Sequence, residues 1–371
     1  MPRVVIWKSA WLPPSETFVR NQLKALDKWT AQPLGVVKVT SILSDDQDRI
    51  LFSTQLVDKV KAFVLQKTGF SRRLVHYLRD DVTLVHAHFA GSGMTIRRSA
   101  VRARVPLLVT LHGRDITAAP RVAGVAGAYY RYRLHRLFRD AAAVIAVSAH
   151  ISDLAVHFGA DRSRVIVHHI GIPIEEKIPR VGVTRGILAV GRLTEKKGFE
   201  HLIRAAALLP PQLHGVPITI VGDGPLRGEL ETLAADLNVP VTFAGFLSGA
   251  QVRELMGERP LVCIPSVIAS DGDEEGLPTV AMEAGAESCA VVGFVHSGLP
   301  DVIDSGRTGL LVTEGDAELL ENAISQLLLD PERMDTMGHA ARAKVSAEFD
   351  INKQSRLLEV IYDQVSGHPR P

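Results

Sequence analysis

The sequence predicts an α/β protein with two parallel-sheet domains, and three observations support that class. Its 371 residues exceed the length of one ordinary domain, which is about 100–200 residues. Short β-branched runs alternate with helical patterns along the chain, as they do where crossover helices connect parallel strands. Near the middle, residues 171–186 contain prolines and glycines without a clear period, which is typical of a linker between domains.

The elements follow from the period of the apolar residues. In the first half the predicted strands are 3–7, 34–39, 83–87, 107–111, 143–147 and 165–168. In the second half they are 187–190, 218–221, 241–244, 261–264, 290–292 and 310–312. After 187–190 a helical stripe is formed by Phe199, Leu202, Ile203 and Ala206. The predicted units are an N-terminal domain over 1–172, a linker over 173–186, a C-terminal domain over 187–345, and a C-terminal helix over 346–371 that packs on the N-terminal domain.

Composition excludes several classes of protein. Hydrophobic residues make up 46% of the chain and charged residues 22%, the balance of a globular protein, and a formal net charge of +1 gives no general attraction to nucleic acid. Cys263 and Cys289 both lie in apolar runs, which predicts buried free thiols of a cytoplasmic protein. The first apolar run, Val4–Trp7, is too short for a secretory signal, and no run is long enough to span a bilayer.

Ligands of parallel α/β sheets bind outside the carboxyl ends of the strands, so two such domains predict a cleft between two sheet edges. In the second half, the loop "GRLTEKKG" follows a strand and places Arg192 and Lys197 near a helix start. Two cations and the helix N–H groups would form an anion site, and a solvated basic turn is the alternative.

The next loop, "VGDGPLRGELE", resembles a dinucleotide fingerprint but does not match it. Gly222, Gly224 and Gly228 give G-x-G-x-x-x-G, one residue too long, and no acidic ribose partner follows about 20 residues later. A tight turn into a helix is therefore favoured, and a hydride-transfer enzyme is disfavoured. The loop "FAGFLS" at 243–248 contains a glycine that would let the backbone approach a flat ring.

The stretch "EEGLPTVAMEAGA", residues 274–286, places an acid on either side of a Gly-Leu-Pro turn. Pro278 is a good helix starter, so Glu275 lies in the loop and Glu283 lies about one and a half turns into the helix. The N–H groups of Gly276 and Leu277 at that helix start would hold a diphosphate. Carboxylates bind phosphate poorly but accept hydrogen bonds from vicinal hydroxyls, so the pair suits a nucleotide-sugar with a sugar at each end.

Several histidines end strands of the N-terminal half. A histidine at a strand end is more often structural than catalytic, and His86 with His88, without a nearby cysteine, makes a poor zinc site. No metal is therefore predicted. His112 is interpreted as a sugar contact, and Asp115 beside it could form an acid/base dyad.

An arginine-rich segment follows these histidines. From Ile96 to Arg139 the chain has ten arginines and one acid, and "YYRYRLHRLFRD" at 129–140 interleaves aromatic and basic residues. Such a segment can lie on an anionic membrane surface, which predicts peripheral contact with the inner face of the cytoplasmic membrane. A solvated helix face with packed aromatics is the alternative.

The order of "GRLTEKKG", "VGDGPLRGELE", "FAGFLS", "DGDEEGLPTVAMEAGA" and "HSGLPDVIDSGRTGLLV" resembles the retaining glycosyltransferases of family 4. These enzymes have the GT-B fold, two Rossmann-like domains that face each other across a cleft. The N-terminal motifs "SETFVRNQL", "VHAHFA" and "TLHGRDIT" look like the branch that builds exopolysaccharides such as colanic acid.

The resemblance implies a role for each matching residue. Arg192 and Lys197 would hold the donor diphosphate, Glu283 the ribose hydroxyls, and Glu275 the transferred sugar. Further donor contacts would come from His112, Gly222, Phe246, Leu247 and the turn Gly276, Leu277 and Pro278. Many members have a glycine pair in the first strand-end loop, and this chain has none. The candidates for that loop and the acceptor side are Ser15, Glu16, Thr17, His88 and Asp115.

The resemblance also implies the reaction. A sugar would move from a nucleoside-diphosphate sugar to a hydroxyl acceptor, a glycan or lipid-linked intermediate, by front-face attack without a metal or other cofactor. Glycosylation of a small molecule is one alternative. A non-hydrolysing sugar-nucleotide epimerase and a nucleotide-sugar-binding protein without transferase activity are two others.

Overall fold

The computed structural model describes residues 1–13, 16–39, 41, 43–52, 56–175, 186–258 and 261–367. The chain forms two compact units. The first consists of Met1–Pro173 together with Ile351–Pro371, and the second consists of Ile174–Asp350. Each unit is built around a parallel sheet with helices, so the predicted α/β class with Rossmann-like domains is confirmed.

The first unit contains a seven-stranded parallel sheet in the order β3-β2-β1-β4-β5-β6-β7. Its strands are β1 (Arg3–Trp11), β2 (Thr30–Lys38), β3 (Arg49–Ile50), β4 (Leu84–His88), β5 (Leu107–Leu111), β6 (Ala143–Ala146) and β7 (Val165–Val167). The six predicted strands are present, and β1 and β2 are longer than predicted. The two-residue edge strand β3 was missed because so short a run has no detectable period.

Seven α-helices belong to the described part of this unit, and all but the last follow the strands in chain order. They are α1 (Thr17–Ala25), α2 (Leu56–Thr68), α3 (Arg72–Arg79), α4 (Ala90–Ala103), α5 (Gly124–Asp140), α6 (Ala149–His157) and α14 (Ile351–Ser366). The last helix is fixed to the unit by Glu359, whose buried carboxylate accepts from the backbone N–H groups of Asp27, Lys28 and Trp29 at 2.8, 2.7 and 3.1 Å.

The second unit contains a six-stranded parallel sheet in the order β10-β9-β8-β11-β12-β13. Its strands are β8 (Ile187–Val190), β9 (Ile218–Val221), β10 (Val241–Gly245), β11 (Leu261–Ile264), β12 (Ala290–Phe294) and β13 (Gly309–Val312). Its α-helices are α7 (Phe199–Ala207), α8 (Arg227–Asp236), α9 (Gly249–Glu258), α10 (Thr279–Ala286), α11 (Leu299–Val302), α12 (Ala317–Leu329) and α13 (Pro331–Glu348). All six strands lie within two residues of their predicted bounds.

The core of the second unit explains why its sequence was easy to interpret. The central strands are apolar on both faces, as expected for a parallel sheet covered by helices. The helical stripe that begins at Phe199 is buried against the sheet. Cys263 and Cys289 are buried and unbridged, which confirms their interpretation as free thiols. No helix in the described part of the chain is long and apolar enough to cross a membrane.

Candidate active site

The loops after β8 and β9 pack so closely that only glycine fits between them. A Cβ atom on Gly222 would lie 1.9 Å from the carbonyl oxygen of Gly191, and one on Gly224 would lie 2.4 Å from that of Leu193. Gly222 also has a φ of +130°, which disfavours other residues. These contacts explain the glycines as packing residues, in agreement with the tight turn that the sequence favours. The donor contact of Gly222 stays a prediction.

Lys197 and Glu275, which are far apart in sequence, meet at the carboxyl edge of the second sheet. The Lys197 Nζ lies 3.2 Å from the Glu275 Oε1, and the Lys196 Nζ lies 3.7 Å from the same oxygen. Lys196 also pairs with Asp273 at 3.3 Å. Lys197 and Glu275 are neighbours because β8 and β11 are adjacent in the sheet, so the loops that follow these two strands lie at one edge.

The electrostatics keep Glu275 ionised. Burial alone would raise the pKa of its carboxyl, but Lys197 and then Lys196 outweigh that effect and hold the pKa below its usual value. The side chain of Glu275 is only 12% exposed, so its charge is compensated by the lysines and little by water. A negatively charged acceptor of hydrogen bonds is thus fixed beside two cations.

Glu283 occupies a different environment on α10. Its side chain is exposed, and the hydroxyl of Thr279, one turn earlier, donates to its carboxylate. The dense protein around it raises the pKa of the carboxyl, and Lys197 and Thr279 partly oppose that rise. The helix begins at Thr279 with Pro278 as its N-cap, so Glu283 lies about one turn in, close to the predicted position.

The start of α10 could bind an anion. Leu277 and Pro278 are buried in the turn that precedes it, and the first N–H groups of any helix lack intrahelical acceptors. The loop is fixed from a neighbouring strand end, because the Ser297 hydroxyl donates to the carbonyl oxygen of Glu275. The helix start, the acids and the lysines therefore belong to one assembly within the second unit.

Two residues of this assembly were not singled out from the sequence. His296 is buried, and its Nδ1 lies 2.8 Å from a carboxylate oxygen of Glu314, whose other oxygen accepts from the Ile268 N–H at 2.8 Å. Within the described residues, the His296 Nε2 has no hydrogen-bond partner. His296 follows β12 by two residues and Glu314 follows β13 by two, so a search of every strand-end loop would have found both.

Three other predicted donor contacts lie on the surface. Arg192 is exposed in the loop after β8, and its backbone carbonyl accepts from Thr194 at 2.8 Å. Phe246, directly after β10, is 80% exposed, which is unusual for a large aromatic ring in a monomer. Leu247 beside it is half-buried. These residues lie at the ends of strands, and among the described residues their side chains form no ion pair with Lys197 or Glu275.

In the first unit, the half-buried Glu16 forms an ion pair with the buried Lys8 from β1. Burial lowers the pKa of Lys8 and raises that of Glu16, and each charge opposes the effect on its partner. The Lys8 ammonium also lies 4.2 Å from the centre of the Phe89 ring. Thr17 is exposed at the first position of α1, and Ser15 lies outside the described residues.

His88 and His112 are brought together at the ends of β4 and β5. The His88 Nδ1 lies 3.1 Å from the His112 Nε2. Burial lowers the pKa of both imidazoles well below the usual value, so both are neutral. Neither the His88 Nε2 nor the His112 Nδ1 has a partner among the described residues, and in either tautomer one of them is an unused donor.

Asp115 has a structural function in this loop. One carboxylate oxygen accepts from the Ala90 N–H at 2.7 Å, and the other accepts from His112 and Gly113 at 3.1 and 3.0 Å. It therefore ties the start of α4 to the turn after β5. The suggested acid/base dyad with the His112 ring does not form, because the carboxylate bonds to the backbone of His112 and not to its imidazole.

A cavity of about 670 Å³ lies at the same edge of the first sheet. Its walls include Lys8, Glu16, Arg114, Tyr130 and Arg133. The two acids on its walls are engaged, Glu16 by Lys8 and Asp115 by backbone N–H groups, so the remaining side-chain charge is positive. The cavity is large enough for a small-molecule or sugar ligand.

Known proteins resemble this chain in both halves. Residues 174–344 match the family model of group 1 glycosyl transferases, and residues 35–176 match that of glycosyltransferase family 4. The amylovoran biosynthesis glycosyltransferase AmsK of Erwinia amylovora is 30% identical over 292 residues, which cover 77% of this chain and 70% of that protein. WcaL of Salmonella typhimurium, assigned as a glycosyltransferase of colanic acid biosynthesis, is 28% identical over 290 residues, 74% of this chain and 70% of that one.

The fold is also found in solved structures. The crystal structure of Anabaena Alr3699/HepE in complex with UDP has a TM-score of 0.81 at 21% identity, and covers 98% of this chain and 100% of that one. A complex of the same protein with UDP-glucose has a TM-score of 0.76 at 19% identity, with 98% and 100% covered. The GT-B fold predicted from the motifs is confirmed. From the two family models and the identity to AmsK, we conclude that this chain belongs to the group 1, family 4 glycosyltransferases and has glycosyltransferase activity.

Proposed function

We propose that this enzyme transfers a sugar from a nucleoside-diphosphate sugar to a hydroxyl group of a glycan or lipid-linked intermediate of polysaccharide synthesis, with retention of configuration. The observation that carries the proposal is the contact of Lys197 with Glu275 beside the start of α10. It combines cations for a diphosphate with a carboxylate for sugar hydroxyls. The names of AmsK and WcaL support the polysaccharide pathway, and the UDP and UDP-glucose complexes of HepE support the donor class.

The donor would bind with its diphosphate at Arg192, Lys197 and the first N–H groups of α10. Glu283, which is exposed, would accept from the ribose hydroxyls, and Glu275 from the transferred sugar. The base would lie against the backbone near Phe246 and Leu247. The acceptor would occupy the cavity of the first unit that Glu16 and Arg133 line.

The chemical step would use charge stabilisation without a covalent intermediate. The bond between the anomeric carbon and the diphosphate oxygen breaks, and the acceptor oxygen bonds to that carbon on the same face. The acceptor proton goes to the leaving phosphate oxygen. Arg192 and Lys197 would stabilise the negative charge that develops there, which is electrostatic preorganisation. We propose that no metal or other cofactor is needed, so EDTA should leave turnover unchanged.

A thermal-shift screen of UDP-, GDP-, ADP- and dTDP-sugars tests the donor class. We expect donors with one base to raise the Tm of the wild-type protein and to raise it far less for Lys197→Ala. A nuclear magnetic resonance spectrum of the product then reports whether the anomeric configuration is retained. If none of the nucleotide-sugars raises the Tm, or if Lys197→Ala keeps the full shift, the proposed donor site is wrong.

A further inference from the structure

The loop that carries Glu275 contains no helix or strand. It spans residues 265–278 between β11 and α10, and it is here named the acid loop. Within it, the N–H of Ala269 donates to the carbonyl oxygen of Asp273 at 3.0 Å, and the N–H of Gly272 donates to that of Ala269 at 2.8 Å. These bonds close one short turn, and Glu275 lies outside it. Loops of this length without secondary structure are uncommon and are often functional. The position of Glu275 therefore depends on groups that reach the loop from neighbouring elements.

One side of the acid loop is held by the loop that follows β8. The two carboxylate oxygens of Glu195 accept from the N–H and from the hydroxyl of Ser270 at 2.7 and 2.8 Å. The carbonyl oxygen of Lys196 accepts from the Val267 N–H at 2.9 Å. These contacts attach the acid loop to the segment that supplies both lysines of the site.

The other side of the acid loop is held from the ends of β12 and β13. The Ser297 hydroxyl donates to the carbonyl oxygen of Glu275. One carboxylate oxygen of Glu314 accepts from the Ile268 N–H at 2.8 Å, and the other lies 2.8 Å from the Nδ1 of His296. The acid loop is therefore fixed near its start and near its end by residues that follow two neighbouring strands.

The backbone at Ser297 is strained. Its φ is +47°, in the left-handed region that disfavours residues other than glycine. Such a conformation persists only where the surrounding contacts determine it, and it occurs most often at functional sites. Here the determining contacts are the bond from the Ser297 hydroxyl to Glu275 and the contact of the preceding residue, His296, with Glu314. The strained residue therefore lies between the two attachments of the acid loop.

His296 connects these attachments to the carboxylate of the site. Its side chain is buried, and its Nδ1 carries the proton of the contact with Glu314, because an ionised carboxylate only accepts. Burial raises the pKa of Glu275, and Lys197, Lys196 and then His296 lower it, so the imidazole lies within electrostatic range of that carboxylate. One buried ring is thus placed between the side chain that holds the start of the acid loop and the carboxylate near its end.

We propose that His296, acting through Glu314, is a positioning residue that holds the acid loop so that the Glu275 carboxylate meets the transferred sugar. Without the imidazole, Glu314 would lose the contact that orients it towards the Ile268 N–H, and the loop would shift at its start. The diphosphate would keep Lys197, which belongs to the loop after β8. The inference rests on the proposed function, in which Glu275 accepts from hydroxyls of that sugar.

Kinetics and calorimetry of the full chain test this position. The probes are the glucose donors of UDP, GDP, ADP and dTDP, and the nucleoside diphosphate of whichever donor binds. Turnover is followed as release of that nucleoside diphosphate with water as the acceptor. His296→Ala should lower kcat by about tenfold to a hundredfold, because a small misplacement of a substrate contact is costly. It should leave the Kd of the bare nucleoside diphosphate within about twofold. His296→Asn, whose amide can donate in place of Nδ1, should recover most of kcat.

A double variant shows whether the imidazole acts through the carboxylate. His296→Ala combined with Glu275→Ala should have the kcat of Glu275→Ala alone, because residues that act as one unit are not additive. Glu314→Ala should reproduce the effect of His296→Ala, and it carries the test if the histidine variant does not fold. The matched control is His214→Ala, which removes an imidazole that bonds to the Leu209 carbonyl oxygen at 2.8 Å before β9, at the opposite edge of the same sheet. It should keep the wild-type kcat.

The proposal is overturned if His296→Ala and Glu314→Ala keep the wild-type kcat, or if they weaken binding of the bare nucleoside diphosphate as much as they lower kcat. It is also overturned if the losses multiply in the double variant. A wild-type kcat for Glu275→Ala would overturn the proposed function of that residue and the positioning with it. A low kcat for Glu275→Ala beside a wild-type kcat for His296→Ala would overturn the positioning alone.

Discussion

Glu275 and Glu283 are eight residues apart in the sequence, and the charges and burial around their carboxylates differ. Lys197 and Lys196 keep the pKa of the half-buried Glu275 low, whereas the surroundings of the exposed Glu283 raise the pKa of its carboxyl. The first carboxylate is held in place by ion pairs, and the second is accessible on a helix. The same residue type is therefore suited to two functions. Substitution of each site residue can be tested by its effect on donor binding and on turnover.

Replacement of Lys197 should affect the chemical step most. Lys197→Met keeps the apolar part of the side chain but removes the charge that would face the leaving diphosphate. We expect kcat/KM to fall by about a hundredfold or more. Steady-state kinetics measures this, with Arg333→Ala on the exposed side of α13 as a control for loss of a surface cation. Unchanged kcat/KM for Lys197→Met would contradict the assignment.

Substitution of Glu283 and substitution of Glu275 should have different effects on nucleotide binding and on kcat. Glu283→Ala should weaken binding of the bare nucleoside diphosphate by about one to two decades, because a charged hydrogen bond is worth roughly 1.5–3 kcal/mol. Glu275→Ala should not weaken that binding, since it removes a negative charge from the lysines that hold the phosphates. It should instead lower kcat with the whole donor, because sugar placement matters most as the glycosidic bond breaks.

Calorimetry with the nucleoside diphosphate, set beside kinetics with the full donor, separates these effects. Equal weakening of bare nucleotide binding by both substitutions would show that the acids do not divide ribose and sugar between them. Thermal unfolding of both variants provides the control for folding.

At the scale of elements, adjacency in the sheet gathers residues that the chain separates. In the second unit β8, β11, β12 and β13 are neighbours, so the loops after them bring Lys197, Glu275, His296 and Glu314 to one edge. In the first unit α14 returns from the end of the chain and its Glu359 caps three backbone N–H groups of residues 27–29. That carboxylate connects the last helix to the turn between α1 and β2.

Loss of this carboxylate should destabilise the first unit. Glu359→Ala leaves three N–H groups without their charged acceptor, and we expect the free energy of unfolding to fall by at least about 3 kcal/mol. Chemical denaturation followed by circular dichroism measures the change. Glu359→Gln keeps one acceptor oxygen and should lose less. Arg356→Ala, on the exposed face of the same helix, should have little effect on the free energy of unfolding. An equal loss of stability in Arg356→Ala would contradict a specific role of the Glu359 carboxylate.

At the scale of the whole molecule, two buried neutral histidines of the first unit bond to its last helix. His86 bonds to Tyr362 at 2.7 Å and to Thr110 at 2.6 Å, and His168 bonds to the carbonyl oxygen of Gln354 at 2.9 Å. Burial lowers the pKa of His86 to about 3 and that of His168 to about 4. Both histidines contact α14, so packing of the last helix depends on their staying uncharged.

This arrangement predicts sensitivity to acid. Below an unfolded pKa of about 6.5, the unfolded chain binds protons that the folded unit excludes, so stability is full above that pH and is lost as the pH falls. Between pH 7 and pH 5 the loss should be on the order of 2 kcal/mol for each of the two histidines.

Denaturant unfolding as a function of pH checks this. His86→Gln should make the pH dependence shallower, whatever it does to the absolute stability. His76→Gln, an exposed histidine of the same unit, should keep the wild-type slope. An unchanged slope for His86→Gln would contradict the predicted linkage.

The sequence alone determined the fold class, twelve of the thirteen strands that the described residues form, and the motifs of the second unit. Those properties depend on local period and on loops that follow strands, which one segment of chain can display by itself. The exception is β3, which is two residues long and has no such period. The structure places Lys197 beside Glu275, and the functions of Lys197, Glu275 and Glu283 stay predictions.

Only the tertiary structure decided which of these residues touch. In the structure Lys197 pairs with Glu275, and the Asp115 carboxylate accepts from the backbone N–H of His112. The structure also places His296 in contact with Glu314 at the same sheet edge. It also showed that α2, which no motif marks, exposes valines between lysines. Such facts depend on which strands are adjacent and which helix face is covered. Burial, pKa and pairing are properties of the packed molecule, because they arise from atoms that are distant along the chain.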